Sequence, residues 1–305
     1  MLFAALLLDA AFGEPPWLWR RIPHPAVLMG DLIEWLEAEL NKGAMRGVKG
    51  GVALGILIVA VLAPALFLSL DIFGGIPDAL IAAVLLAQRS LVEHITAVAE
   101  GLEESLTAGR EAVARVVGRD PETLDEAGVA RAAIESAAEN LSDGVVAPAF
   151  WFVIAGLPGI AVYKAVNTAD SMIGHKTPRL KAFGYAAAKL DDLMNWIPAR
   201  ITGYLLCIVP GDDPTHRIET MRSDAPLHAS PNAGWPEAAM AASLGIAIAG
   251  PRSYGGQIVD DPYMNADGRR EATAADIRRA VGLLWRVWGI LVAIAAVFAL
   301  GLLIF

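Results

Sequence analysis

The chain has 305 residues, 55% of them hydrophobic and 19% charged, with mean hydropathy +0.49. Soluble domains run near 25% charged, so the composition favours a membrane protein. The net charge of −9 argues against a nucleic-acid partner, which would need a basic face.

The N-terminal run Met1–Asp9 is apolar but lacks a basic region and carries an acid, so it does not read as a cleaved signal peptide. His24 stands between Pro23 and Pro25, in a rigid turn where it serves as a ligand contact or as a cap. Gly51–Leu70 is a nearly unbroken apolar run of 20 residues. A helix of that length spans about 30 Å, the thickness of the bilayer hydrocarbon. Asp71, Gly74-Gly75 and Pro77-Asp78 break it, and Ala79–Ala87 returns, giving a predicted transmembrane hairpin. Basic residues flank the hairpin on both sides (Arg20, Arg21, Lys42, Arg46 and Lys49 before; Arg89, Arg110, Arg115, Arg119 and Arg131 after) and none lies at its tip. The positive-inside rule therefore puts both flanks in the cytoplasm.

From Gln88 to Gly144 the character changes. Leu91, Ile95, Val98, Leu102 and Leu106 recur at helical spacing among Glu93, Glu100, Glu103 and Glu104, which predicts an amphipathic helix. Asp120-Pro121 is the predicted start of the next one. Val145–Tyr163 is long enough to span, but one full crossing would strand Lys164, Lys176, Arg179, Lys181 and Lys189 outside. Gly156-Leu157-Pro158-Gly159 resolves the conflict by breaking the helix, so that two half-length pieces dip in and return. Trp196–Val209 and Ala238–Ala249 are too short to span comfortably and read as further broken helices. Cys207, the only cysteine, excludes an intrachain disulfide, and its apolar neighbours make it a core thiol. Leu284–Phe305 is the last predicted span. The expected fold is an all-α polytopic integral membrane protein with broken, re-entrant helices. It reads as one membrane-embedded domain over 1–305, with a largely cytoplasmic amphipathic region at 88–144.

Polar groups beside or within a bilayer need partners or ligands, so their concentration marks a site. Three acidic clusters qualify. Glu135, Glu139 and Asp143 recur at i, i+4 and i+8 on one predicted helix face; Asp170 stands alone; Asp191-Asp192 is followed by Asn195. They read either as a solvated stripe or as holders of Mg²⁺, which takes carboxylates together with substrate phosphates. Lys164, Lys176, Arg179, Lys181 and Lys189 form the basic complement, as cytoplasmic edge charges or as phosphate ligands. Lys164 and Lys176 are the better site candidates, because polar residues flank them. No Walker loop, HExxH pair, nucleophile elbow or CxxC is present.

Several ordered motifs carry a resemblance. They are His24-Pro25…Met29-Gly30, Val117-Gly118-Arg119-Asp120, Glu135-Ser136…Glu139-Asn140…Asp143-Gly144-Val145-Val146-Ala147-Pro148, the run Lys164–Lys176 (KAVNTADSMIGHK), Ala188-Lys189-Leu190-Asp191-Asp192…Asn195-Trp196-Ile197-Pro198-Ala199-Arg200, and Ser230-Pro231-Asn232…Gly234-Trp235-Pro236-Glu237. In order and in content they resemble the integral-membrane cobalamin-biosynthesis family CobD/CbiB. The resemblance implies an adenosylcobinamide-phosphate synthase in the cytoplasmic membrane, with its site on the cytoplasmic side. Such an enzyme joins aminopropanol or its phosphate to a propionate of adenosylcobyric acid, using ATP and Mg²⁺. Under that reading Glu135, Glu139, Asp143, Asp170, Asp191 and Asp192 hold metal. Lys164 and the binding residues Lys176, Lys189, Arg179, Asn167, Ser171, Asn140, His24 and Trp196 hold phosphate or substrate, and His175 or Glu139 is the base. A Mg²⁺-dependent prenyltransferase-like enzyme is the alternative suggested by Asp191-Asp192 and Asn195. An anion transporter with broken helices is another, although no inverted repeat is visible.

Overall fold

The apolar runs fold as helices because, without water, backbone groups must pair within their own segment. A computed structural model describes residues 1–70, 74–117, 121–254, 257–259 and 261–304. Asp71 and the motif residues Gly118, Arg119 and Asp120 lie outside the described residues, as does Phe305. Thirteen α-helices are described. In chain order the first eight are α1 (Leu2–Phe12), α2 (Pro16–Trp19), α3 (Pro25–Leu40), α4 (Arg46–Leu68), α5 (Ile76–Leu85), α6 (Gln88–Glu104), α7 (Leu106–Val113) and α8 (Glu126–Leu141). A π-helical turn, Ser142–Val146, leads into α9 (Ala147–Ile173). Then come α10 (Tyr185–Ile208), α11 (Thr215–Asp224), α12 (Gly234–Leu244) and α13 (Ala274–Ile304). Four helical stretches are long and apolar enough to cross a membrane: Arg46–Leu68, Ile76–Glu104, Glu126–Ile173 and Ala274–Gly301. The protein is an all-α polytopic membrane protein.

Several boundaries differ from the sequence reading, each for a local reason. The amphipathic helix predicted through Leu106 stops at Glu104, where Ser105 turns extended and caps α7 by accepting the Ala108 N–H at 3.1 Å. Helix α8 begins at Glu126 and not beside Pro121, because Asp125 is its cap and accepts the Gly128 N–H at 2.7 Å. Trp196–Val209 is not a separate broken helix but the second half of α10, a single helix of 24 residues. The piece predicted at Ala238–Ala249 ends at Leu244, where Gly245 adopts φ +68°. Beyond it Ile248–Ala249 (β1) pairs antiparallel with Tyr263–Met264 (β4), and Arg252–Tyr254 (β2) with Gln257–Val259 (β3).

The predicted break in the membrane segment is present. Within α9, Ala155 (φ −142°, ψ 22°) and Gly156 (φ 60°, ψ −150°) leave helical geometry. A Cβ built on Gly159 would lie 2.3 Å from the Trp151 carbonyl oxygen. Residues eight apart in a straight helix sit about 12 Å apart, so the chain reverses here. Only glycine fits at both positions, one for its positive φ and the other for space.

The chain divides into two compact units where the sequence suggested one domain. The first comprises 1–87, 147–195 and 295–305, and holds α1 to α5, α9 and the start of α10. The second comprises 88–146 and 196–294, so the amphipathic region groups with the later helices. Its core includes Ile95, Val98, Ile134, Leu141, Met240 and Ile277.

Candidate functional site

In the first unit, helical spacing puts Tyr163, Asn167 and Asp170 on one face of α9, at i, i+4 and i+7. Asp191 and Asn195 are likewise one turn apart on α10. The two faces join. Tyr163 Oη donates to Asn195 Oδ1 at 2.9 Å, Asn195 Nδ2 donates to Asp191 Oδ2 at 3.0 Å, and Asn167 Nδ2 donates to Asp191 Oδ1 at 3.2 Å. Asp191 and Asn195 are buried, as is the Tyr163 ring. Burial raises the Asp191 carboxyl to about 6, with the neighbouring Asp170 adding to the rise and the two asparagine amides opposing it. His175 is an electrostatic neighbour of Asp170. Asp192 pairs with Lys189, whose Nζ sits 2.7 Å from its Oδ2, and its charge also acts on Asp170 and Asp191.

Gly174 closes this arrangement. Its amide donates to the Asp170 carbonyl at 2.7 Å, and a Cβ on it would fall 1.9 Å from Asp170 Oδ1. The glycine therefore makes room for the protein's own carboxylate. The loop after it is held down tightly, since a Cβ on Gly184 would lie 1.7 Å from the Ile173 carbonyl and one on Gly50 1.8 Å from that of Phe183.

His24 caps α3, its Nδ1 accepting the Ala26 N–H at 3.1 Å, with its ring edge-on to Trp19. Burial chiefly lowers its pKa; Glu14 and the Val84 carbonyl oppose this, and Lys164 adds to it. The head of the central motif and the N-terminal histidine are thus brought together. Arg179 is committed elsewhere: Nε and Nη2 grip Glu37 Oε1 and Oε2 at 3.1 and 2.5 Å. That fork-to-fork pair uses the donors a phosphate would need, and it holds the Glu37 carboxyl below the ordinary range. Lys176, Ser171 and His175 are exposed, and Lys176 has no carboxylate partner among the described residues.

The second unit carries the other acids. Glu135 and Glu139 are one turn apart on α8, yet Glu135 is buried and Glu139 exposed. Four residues turn a helix by about 400°, so the stripe drifts. Glu135 Oε1 accepts the buried N–H of Ala249, a residue held at φ 60°. Asp143 sits in the π-helical turn, which removes it from the expected i+8 position; such turns recur at functional sites. Asn140 donates to the carbonyl and hydroxyl of Ser136 at 2.8 and 3.0 Å. In the same unit Trp196 is exposed and lies under the Arg200 guanidinium.

Among the described residues no three His, Cys, Asp or Glu side chains converge on one metal position. Asp170, Asp191 and Asp192 are charged neighbours of one another, and carboxylates so grouped are donors that Mg²⁺ takes when phosphates complete its shell. The sequence reading missed Tyr163 and Glu37; a tyrosine one turn before Asn167 was the available signal for the first.

The Ala249 contact predicts a split at Glu135. Glu135→Gln keeps a carbonyl acceptor and should leave the melting temperature unchanged. Glu135→Ala orphans a buried N–H and should cost about 1–3 kcal/mol in a detergent melt. Equal melts for the two variants would show that the contact carries no weight.

The family profile described as CobD/Cbib protein matches residues 2–284. The Cobalamin biosynthesis protein CobD of Brucella anthropi is 48% identical, over 100% of this chain and 98% of its own length. Its namesake in Rhizobium meliloti is 47% identical with the same coverage. The one in Rhodobacter capsulatus is 44% identical over 94% of this chain and 92% of its own. No solved structure matches.

Proposed function

This chain belongs to the CobD/CbiB family of cobalamin-biosynthesis proteins, and from that premise we propose that it is an ATP-dependent acid–amine ligase. It joins (R)-1-amino-2-propanol or its O-phosphate to a propionate of adenosylcobyric acid, at the cytoplasmic face of the cell membrane. The observation that most supports this reading is the union of Asp170, Asn167 and Asp191 in one half-buried cluster beside His175.

A carboxylate resists an amine until its oxygen becomes a leaving group. In the first step a propionate oxygen attacks the γ-phosphorus of ATP, the bond to ADP breaks and an acyl phosphate forms. In the second the amine nitrogen attacks the acyl carbon, phosphate leaves with the electron pair of the broken C–O bond, and the nitrogen loses a proton. Asp170 and Asp191 would hold Mg²⁺, which supplies charge neutralisation for the phosphate oxygens. Lys164 and Lys176 would place their ammonium groups against phosphate, while Lys189 keeps Asp192 in place. His175 takes the ammonium proton, and Asp170 beside it steadies the resulting imidazolium.

Reconstitution with adenosylcobyric acid, ATP, Mg²⁺ and each amine in turn, read by product mass and ADP release, tests the reading. ADP release without a corrinoid amide, or none with either amine, would sink it. Within this scheme Lys176→Met should lose on the order of a hundredfold in turnover. A mere edge lysine would tolerate the same change within about 0.5 kcal/mol of stability and with no kinetic effect. Unchanged turnover and unchanged ATP dependence would remove Lys176 from the site.

A further inference from the structure

Arg200, on α10 in the second unit, is a half-buried cation with an unusual environment. Its guanidinium carbon lies 4.2 Å from the ring centroid of Trp196 and 4.6 Å from that of Trp235. Nη1 donates to the Trp196 carbonyl at 2.6 Å and reaches Asn232 Oδ1 at 3.5 Å. The other edge, with Nε–H and the two hydrogens of Nη2, has no partner among the described residues. Burial lowers its pKa, and among the described residues no carboxylate offsets that. The only acid of α12, Glu237, sits instead 3.6 Å from His228. The indole N–H groups of Trp196 and Trp235 likewise have no partner among the described residues.

The backbone is shaped to make this cluster. Gly203 lies one turn beyond Arg200, and a Cβ there would come 3.1 Å from the Trp235 carbonyl and 2.6 Å from Met221 Sδ. Gly234 is equally confined, with the Ala225 carbonyl 2.4 Å from a built Cβ. Gly203 lets the start of α12 approach α10 closely, and Gly234 lets it pack on Ala225 and His228, which together bring Trp235 and Asn232 to Arg200.

An arginine held flat on aromatic rings loses little freedom when it binds, and its Nε/Nη2 edge is the fork that fits two oxygens of an oxyanion. Three guanidinium donors framed by two indole rings, with no carboxylate on them among the described residues, call for a ligand rich in acceptor oxygens. We infer that Arg200, Trp196, Trp235 and Asn232 form a phosphoryl-binding site, taking a phosphate carried by a soluble molecule or by a lipid headgroup. The inference stands on this geometry and does not depend on the ligase reading.

The test uses the full chain purified in dodecyl maltoside without phosphate, titrated with inorganic phosphate and followed by tryptophan emission, with acetate as control. A parallel arm places the protein in phosphatidylglycerol nanodiscs, extracts it and measures retained phospholipid by native mass spectrometry. Saturable phosphate binding that Arg200→Met weakens by about tenfold or more is expected for a soluble phosphate. Arg200→Lys should also weaken it while keeping the charge, because the ammonium lacks the fork, and it carries the test should the Met variant not fold. Loss of retained phospholipid in the variants, without free-phosphate binding by the wild type, assigns the site to a headgroup. The inference is overturned if the wild type binds neither, or if both variants match it in both arms. Neither readout needs turnover, so failure here and failure of the ligase reading are separable.

Discussion

Replacing Asp191 with Asn is expected to cut turnover sharply while making the protein more stable at neutral pH. The buried carboxyl has an ordinary value of 3.8 and is pushed up to about 6 in the fold, first by burial and next by Asp170. A folded value above the unfolded one means that the fold prefers the protonated acid. The stability from this group is complete below about pH 4 and is lost as pH rises through about 6. At pH 7.5 ionised Asp191 therefore costs on the order of 3 kcal/mol. Asparagine removes that cost but turns one of two acceptors into a donor facing Asn167 or Asn195, which gives back about 1 kcal/mol. A net gain of about 2 kcal/mol should appear in a melt at pH 7.5 and vanish by pH 4. Turnover should fall on the order of a hundredfold or more, since the site loses a charge that its phosphate chemistry needs. A variant that melts earlier than wild type at pH 7.5, or that turns over normally, would show Asp191 to be a structural acid.

A carboxylate kept at a cost to the fold is a sign of function that composition cannot reveal. The sequence shows that Asp191-Asp192 is an acidic pair; it does not show that one of them is buried between two asparagines and the other tied to Lys189. The long apolar runs were legible because a span of about 20 residues has almost one reading. So was the break at Gly156, where glycine and proline fall together within an apolar stretch. Contacts between distant positions were not. Arg179 read as a phosphate ligand because its partner Glu37 lies 142 positions away. The acid stripe on α8 read as one surface because periodicity says nothing of which neighbours cover a face, and Glu135 turned out to serve Ala249. The two small β pairings lie below any detectable period, with strands of two and three residues. The reason for a glycine at 174 was not legible either: it makes room for the Asp170 carboxylate.

That reason makes Gly174→Ala the second variant with a large expected effect. Gly174 has no positive φ, so alanine brings no backbone penalty there. The difficulty is space. The added Cβ would fall 1.9 Å from Asp170 Oδ1, 2.8 Å from its Cγ and 2.6 Å from its carbonyl oxygen. The carbonyl accepts the Gly174 N–H and ends α9, so it cannot retreat cheaply, and the side chain must leave. Asp170 then moves away from Asp191 and His175 although every charged group of the site is still present. Turnover should drop on the order of a hundredfold, approaching that of Asp170→Asn, with about 1–3 kcal/mol of stability lost to overpacking. A double-mutant cycle separates the two effects. If the glycine acts through the aspartate, adding Gly174→Ala to Asp170→Ala should lower turnover no further, while the stability costs still add in part. Near-full turnover in Gly174→Ala alone would mean that the Asp170 carboxylate does its work from more than one position, and the compact Asp170–Asp191 pair would then not be the arrangement that matters.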